Sequence, residues 1–287
     1  MFDLREMARE GVLVAAHRGC WMGNIPCNTP MAFEAALAEG ADIIELDISR
    51  SRDGTLYVFH PGMEKHFLDC DRPIADMTDA EVSALRLLNG DGAATQYAVP
   101  LFDDVLDQLR GRCVINIDKF PYYPREIVRA VRRHGMAEQA LIKTKPEEAC
   151  YRMVEELAPD FSYMVFAKEK DTATETLVKR SLRYLGTEAL FSTEESEFAA
   201  PAYHEKMHRL GLLTWANAIV FDCRTVHSAG HTDDLYTMGQ ADAGWGYLAG
   251  LGYDIIQTDW VGPCIRYLMK NGAKKNGAPP KAAASGG

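Results

Sequence analysis

His17, Glu45, Asp47 and His60 carry the side-chain types and spacing of a metal-assisted acid–base site. Glu45 and Asp47 alternate with Ile44, Leu46 and Ile48. In a strand, that alternation sends the apolar set to one face and both carboxylates to the other. Two carboxylates so close repel each other and resist losing water unless a cation offsets them. Residues 114–118 repeat the pattern, with Ile115 and Ile117 on one face and Asn116 and Asp118 on the other. Glu45, Asp47 and Asp118 together describe an oxygen-only site for one divalent cation, Mg2+ or Ca2+, since zinc would recruit more His or Cys. His17 and His60 each end an apolar run beside the carboxylates, which makes them candidates for proton transfer.

The elements that must position these groups read as strands alternating with helices. Strand candidates fall at 12–16, 42–48, 56–60, 113–118, 140–144, 162–167, 189–191, 212–216 and 254–258. Thr29 caps and Pro30 opens a helix that Gly40 stops, and Thr78 with Glu81 forms a capping box before another. Further helical patterns span 124–134, 146–157, 200–210 and 244–251. Such alternation implies parallel strands joined by crossovers. About eight units in roughly 250 residues predict an α/β protein of the (β/α)8 TIM-barrel class, in a single domain over residues 1–269. A doubly wound sheet is the second choice, disfavoured because residues 19–23 make a poor phosphate-binding turn. Nine candidates compete for eight barrel positions, and 189–191 is the weakest. Residues 270–287, rich in Lys, Gly, Ala and Pro, read as a disordered tail.

One turn signal conflicts with this scheme. Arg52-Asp53-Gly54 favours a tight hairpin, which would run the strand before His60 antiparallel and carry that histidine to the far end of the barrel. A site containing His60 therefore requires residues 49–55 to return as an extended, non-helical connection.

The bulk properties exclude several classes. The formal net charge of −10 over 287 residues argues against nucleic acid as a partner. No apolar run is long enough to span a bilayer, and residues 1–6 do not read as a secretory signal. Seven cysteines without paired short spacing point to a reduced, cytoplasmic protein. No pattern in the chain speaks to oligomeric state.

Taken in order, His17-Arg18-Gly19, Asn28-Thr29, Glu45-Leu46-Asp47, Asp53-Gly54 and His60 resemble the glycerophosphodiester phosphodiesterases. The resemblance continues through 77–85, 99–106, 214–217 and 256–259, covering residues 12–268. It implies a (β/α)8 barrel that hydrolyses a small phosphodiester to glycerol phosphate and an alcohol, using a divalent cation. It further implies His17 and His60 as the acid/base pair, Glu45 and Asp47 as metal ligands, and Arg18 as a phosphate contact. The nucleophile is either the substrate's own hydroxyl or water.

Three departures from the family pattern bear on the substrate. Cys27 stands where the family has an acidic residue, and Pro61 follows His60. Asn116-Ile117-Asp118-Lys119 replaces the family's Glu-x-Lys. Strand alternation makes Asp118 the ligand and leaves Lys119 and Lys143 as candidate phosphate contacts. Trp215, on one strand face with Asn217, is a candidate to pack against the glycerol or head group. His227, His231, Asp233 and Asp234 fall in a segment read as a mobile loop over the barrel mouth. A phospholipase-like or sugar-phosphodiester hydrolase is the alternative enzyme. A catalytically silent binding barrel is disfavoured, because a binder has no need of two proton-transfer groups.

Overall fold

The computed structural model describes residues 2–220, 222 and 224–275. Its strands, numbered in chain order, are β1 Leu13–Ala16, β2 Ile43–Arg50, β3 Leu56–Val58, β4 Val114–Asp118, β5 Ala140–Thr144, β6 Ser162–Lys168, β7 Tyr184–Leu190, β8 Leu213–Asn217 and β9 Ile255–Thr258. All but β3 pair in parallel, and β1 closes the ring by pairing with both β2 and β9. The result is an eight-stranded parallel barrel with helices in its crossovers, the TIM-barrel architecture.

Side-chain parity divides the apolar residues into two layers. Ile44, Leu46, Ile48, Ile115 and Ile117 face outward into a large core shared with the helices. Leu13, Ala15, Ile43, Val114, Leu141, Met164, Leu185, Leu213, Trp215 and Ile255 fill the barrel interior, with Leu4 packed among them. Polar inward residues begin one step further along the same strands, so the apolar plug forms the floor beneath the site.

The predicted caps operate. Thr29 accepts from the Ala32 amide, Gly40 ends that helix at φ +98°, and Thr78 and Glu81 cap each other's backbone. The 244–251 pattern is a π-turn, Asp242–Gly246, running into the helix Tyr247–Leu251.

One expectation about strands is corrected. The surplus candidate is 56–60, not 189–191: β3 lies outside the ring, while residues 189 and 190 are the end of a seven-residue barrel strand, β7. That strand was hard to see because its alternation breaks. The register between β6 and β7 shifts at Tyr184 to Gly186, so Leu185 and Glu188, three positions apart, both turn inward. Gly186 makes the shift possible, with φ +145° and the Leu213 carbonyl oxygen 1.8 Å from where a Cβ would sit.

At the other end of the chain, the described residues past 270 stay with the barrel. The helix Val261–Lys270 continues into residues that pack on the barrel rather than leaving it. Val12 donates to the Ala273 carbonyl at 2.8 Å, and the Lys274 ammonium reaches Asp42 at 2.6 Å. The remainder of the expected tail, 276–287, lies outside the described residues. Among the described residues no helix is long and apolar enough to cross a membrane.

Candidate active site

β2 and β4 run side by side, with Glu45 opposite Asn116 and Asp47 opposite Asp118. This pairing brings Glu45, Asp47 and Asp118 together at the C-terminal ends of the strands, with one oxygen of each within 4.8 Å of the others. Among the described residues it is the only such convergence of possible ligands.

Asp47 is the most constrained member. Its Oδ2 is ion-paired with Arg18 Nε at 2.9 Å and accepts from Asn28 Nδ2 at 3.0 Å, while its amide donates to Asn28 Oδ1. Glu45 Oε2 accepts from the Arg18 amide at 3.0 Å. Arg18 and Asn28 reach these positions with left-handed backbones, each at φ +57°. For Arg18 that conformation costs about 1–2 kcal/mol. Gly19 is needed next, because a Cβ there would lie 2.7 Å from the Ala32 backbone in the first turn of the following helix.

The site is short of positive charge. Burial, and then the neighbouring charge of Asp47, push the Glu45 carboxyl well above its usual value. Asp47 Oδ1 is buried without a hydrogen-bond partner. An oxygen-only donor set with an orphaned carboxylate oxygen fits a hard divalent cation. The Lys119 ammonium offsets part of the charge, lying 2.5 Å from Asp118 and 3.5 Å from Asp47. Burial opposes ionisation of Asp118, but Lys119 and Lys143 hold its pKa down at about 2.

His60 arrives by a route the sequence had argued against. β2 overruns the barrel as far as Arg50, the chain turns, and β3 pairs antiparallel with the overrun, Ile48 opposite Val58. The hairpin therefore stands above the mouth, and its return leads back into the site: Phe59 donates to the Asp47 carbonyl at 2.9 Å. His60 Nε2 then lies 3.9 Å from Asp47 Oδ1. The expected choice between a hairpin and a usable His60 dissolves, because the strand is longer than the barrel is tall. His60 Nδ1 contacts the Pro61 carbonyl at 2.9 Å, and since a carbonyl only accepts, Nδ1 carries the proton. Burial, reinforced by Lys119 and Arg18, outweighs Asp47 and keeps His60 below its usual pKa.

His17 Nδ1 donates to Asp259 Oδ1 at 2.9 Å. Burial works against its charged form, but Asp259 and Glu45 outweigh burial and Arg18, so this imidazole sits above its usual pKa. The two histidines are thus biased in opposite directions.

Two expected substrate contacts are otherwise engaged. Lys143 Nζ is buried 2.5 Å from Glu188 Oε2 and 3.9 Å above the Trp215 ring, and Glu188 also accepts from Asn217. Trp215 is 0% exposed within the interior plug, so it supports Lys143 from below and presents no face to a head group. Burial pushes the thiols of Cys20 and Cys27 up to about 12, which suits packing rather than nucleophilic attack. In the loop after β8, His231 stacks on Tyr247 and contacts Ala243 and Glu194, a set of ties that pins it.

Sequence reasoning missed three participants. In the sequence Asn28 and Asp259 stand out only as parts of a motif, and Glu188 is hidden by the irregular β7. For Asp259 the polar side chain at a strand's C-terminal edge was the available signal.

Residues 17–216 match the sequence model of the Glycerophosphoryl diester phosphodiesterase family. The chain belongs to that family. An uncharacterized Bacillus subtilis protein, YqiK, is 26% identical over 69% of this chain and 77% of its own length. A glycerophosphodiester phosphodiesterase of Bacillus altitudinis is 30% identical over 46% of this chain and 57% of its own, so the match spans a little over half of that enzyme. Among solved structures, a glycerophosphoryl diester phosphodiesterase from Parabacteroides distasonis superposes with a TM-score of 0.73 at 16% identity, covering 99% of this chain and 95% of that one. The family match ends before Asp259, so the partner of His17 comes from outside the matched segment.

Proposed function

We propose that the protein hydrolyses a small glycerophosphodiester to glycerol phosphate and an alcohol, with His17 as general acid and His60 as general base. The observation that carries this reading is the pair of fixed tautomers on either side of the carboxylates. Pro61 holds the proton on His60 Nδ1, so a neutral His60 has its lone pair on Nε2, the nitrogen beside Asp47. That nitrogen takes the proton of the attacking hydroxyl, whether it belongs to the substrate's glycerol or to water. Asp259 favours the charged form of the opposite ring, and any proton His17 gives the leaving alkoxide passes through its Nε2.

Glu45, Asp47 and Asp118 would hold one divalent cation, Mg2+ or Ca2+, whose chemistry is to neutralise phosphoryl oxygens. Arg18 and Lys119 add positive charge beside Asp47, where a phosphate would sit. A related Oleispira antarctica phosphodiesterase has been solved with the product sn-glycerol-3-phosphate, which supports this product class. The barrel, with the residues through 275 that pack on it, serves as the catalytic domain, and the free thiols fit a reducing cytoplasm.

The test is metal-dependent release of glycerol phosphate. His17→Ala and His60→Ala should each lower kcat by about 100-fold or more. Glu45→Gln should abolish cation binding in calorimetry. Full turnover by either histidine variant would reject the acid/base roles, and unchanged cation binding by the Glu45 variant would reject the ligand set.

A further inference from the structure

Asp259, which fixes the tautomer of His17, is itself held. Asp233, on the loop after β8, is buried, and its Oδ2 accepts two hydrogen bonds, from the Asp259 amide and from Thr258 Oγ1, both at 2.8 Å. Asp233 is in turn anchored, its amide donating to the Ala218 carbonyl at 2.8 Å. Thr258 Oγ1 also accepts from the Trp260 amide at 3.1 Å, so the chain turning out of β9 is fastened at three successive residues. The path runs Ala218, Asp233, Asp259, His17, from the end of β8 across β9 to the end of β1.

We propose that Asp233 is a positioning residue for the acid half of the reaction: it fixes the backbone of Asp259 so that the Asp259 carboxylate holds His17 with Nδ1 protonated. The hydrogen bonds of the Asp233 carboxylate go to the Asp259 amide and Thr258 Oγ1. It acts by accepting the Asp259 amide, which sets the direction in which the Asp259 side chain leaves the strand. The loop that carries Asp233 also carries His227 and His231, so a segment read from sequence as a mobile cover is tied to the catalytic histidine by hydrogen bonds. The geometry explains why a buried acid stands here: one oxygen has to receive an N–H and an O–H together, as a carboxylate or amide oxygen can and an apolar side chain cannot. Burial of Asp233, with Asp259 nearby, raises its pKa to about 7, which agrees with a role as acceptor that does not depend on its charge.

The inference rests on the proposed acid role of His17, but one readout is independent of turnover. In proton–nitrogen NMR of the full chain, the His17 Nδ1–H should give a protected resonance. Asp233→Leu should expose it to exchange and erase the signal, and should lower kcat about 10- to 100-fold with KM within about twofold. Asp233→Asn, whose side-chain oxygen can take both hydrogen bonds, should keep the resonance and stay within about threefold of the parent in kcat. Thr258→Val, which preserves shape and removes one of the two bonds to Asp233 together with the acceptor of the Trp260 amide, should fall between them, and it covers the case in which the leucine variant does not fold. Retention of both the resonance and kcat in Thr258→Val and in any folded Asp233→Leu would overturn the proposal, as would loss of both in Asp233→Asn. If His17→Ala proves fully active while Asp233→Leu still erases the resonance, the positioning stands and the acid assignment falls.

Discussion

The two histidines differ by the acceptor each gives its proton to. His17 donates to a carboxylate, which favours its charged form, whereas His60 donates to a carbonyl and is biased toward its neutral form by burial, Lys119 and Arg18. The acid role requires His17 to be protonated, and activity is lost as pH rises through its raised pKa. The groups that set it are Asp259 and Glu45, which favour the cation, against burial and Arg18. Asp259→Asn removes the strongest favourable partner. The alkaline limb of the kcat–pH profile should move to lower pH, and kcat at pH 8 should drop by about 100-fold or more. An alkaline limb that stays in place would show that another group supplies the proton. At this scale the sequence was most readable: alternation placed Glu45, Asp47 and Asp118 on one face without any tertiary information. It missed Asp259, whose value depends on β1 and β9 being neighbours although they lie at opposite ends of the chain.

Two irregular elements do the placing. The overlong β2 lets β3 fold back above the barrel and hand His60 to Asp47, and the shifted β7 turns Glu188 inward to meet Lys143. Neither follows from periodicity, because a turn signal says that the chain reverses and not where along the neighbouring strand it does so. Gly186 is the place to test β7. Gly186→Ala must move the Leu213 carbonyl, and we expect a loss on the order of 3 kcal/mol in urea denaturation, with Glu188 displaced and activity reduced. A loss under about 0.5 kcal/mol, the size of an ordinary surface change, would mean that the strand accepts a side chain there. The same shift explains why a glycine-interrupted strand read as three residues at 189–191.

Across the whole molecule, closure depends on both ends of the chain. β1 pairs with β2 and β9, and residues 273–275 bind back onto residues 10–12 and Asp42. A chain ending at Lys270 should be less stable than one ending at Lys275 by about 1–3 kcal/mol, measured by urea denaturation, because the partly buried Asp42 loses its cation and Val12 its acceptor. Equal midpoints would show that these contacts contribute nothing. The inward parity of the carboxylates and the helix caps were legible in the sequence alone, because each follows from the pleat or from the first turn of a helix, both local properties of a few neighbouring residues. The barrel, by contrast, was only favoured over a doubly wound sheet until β1 was seen to pair with both β2 and β9. The route of His60, the engagement of Lys143 by Glu188, the burial of Trp215 and the chain from Asp233 through Asp259 to His17 were decided only by tertiary structure. Each depends on which strands end side by side and at what height, and that registry is set by contacts between residues far apart in the chain.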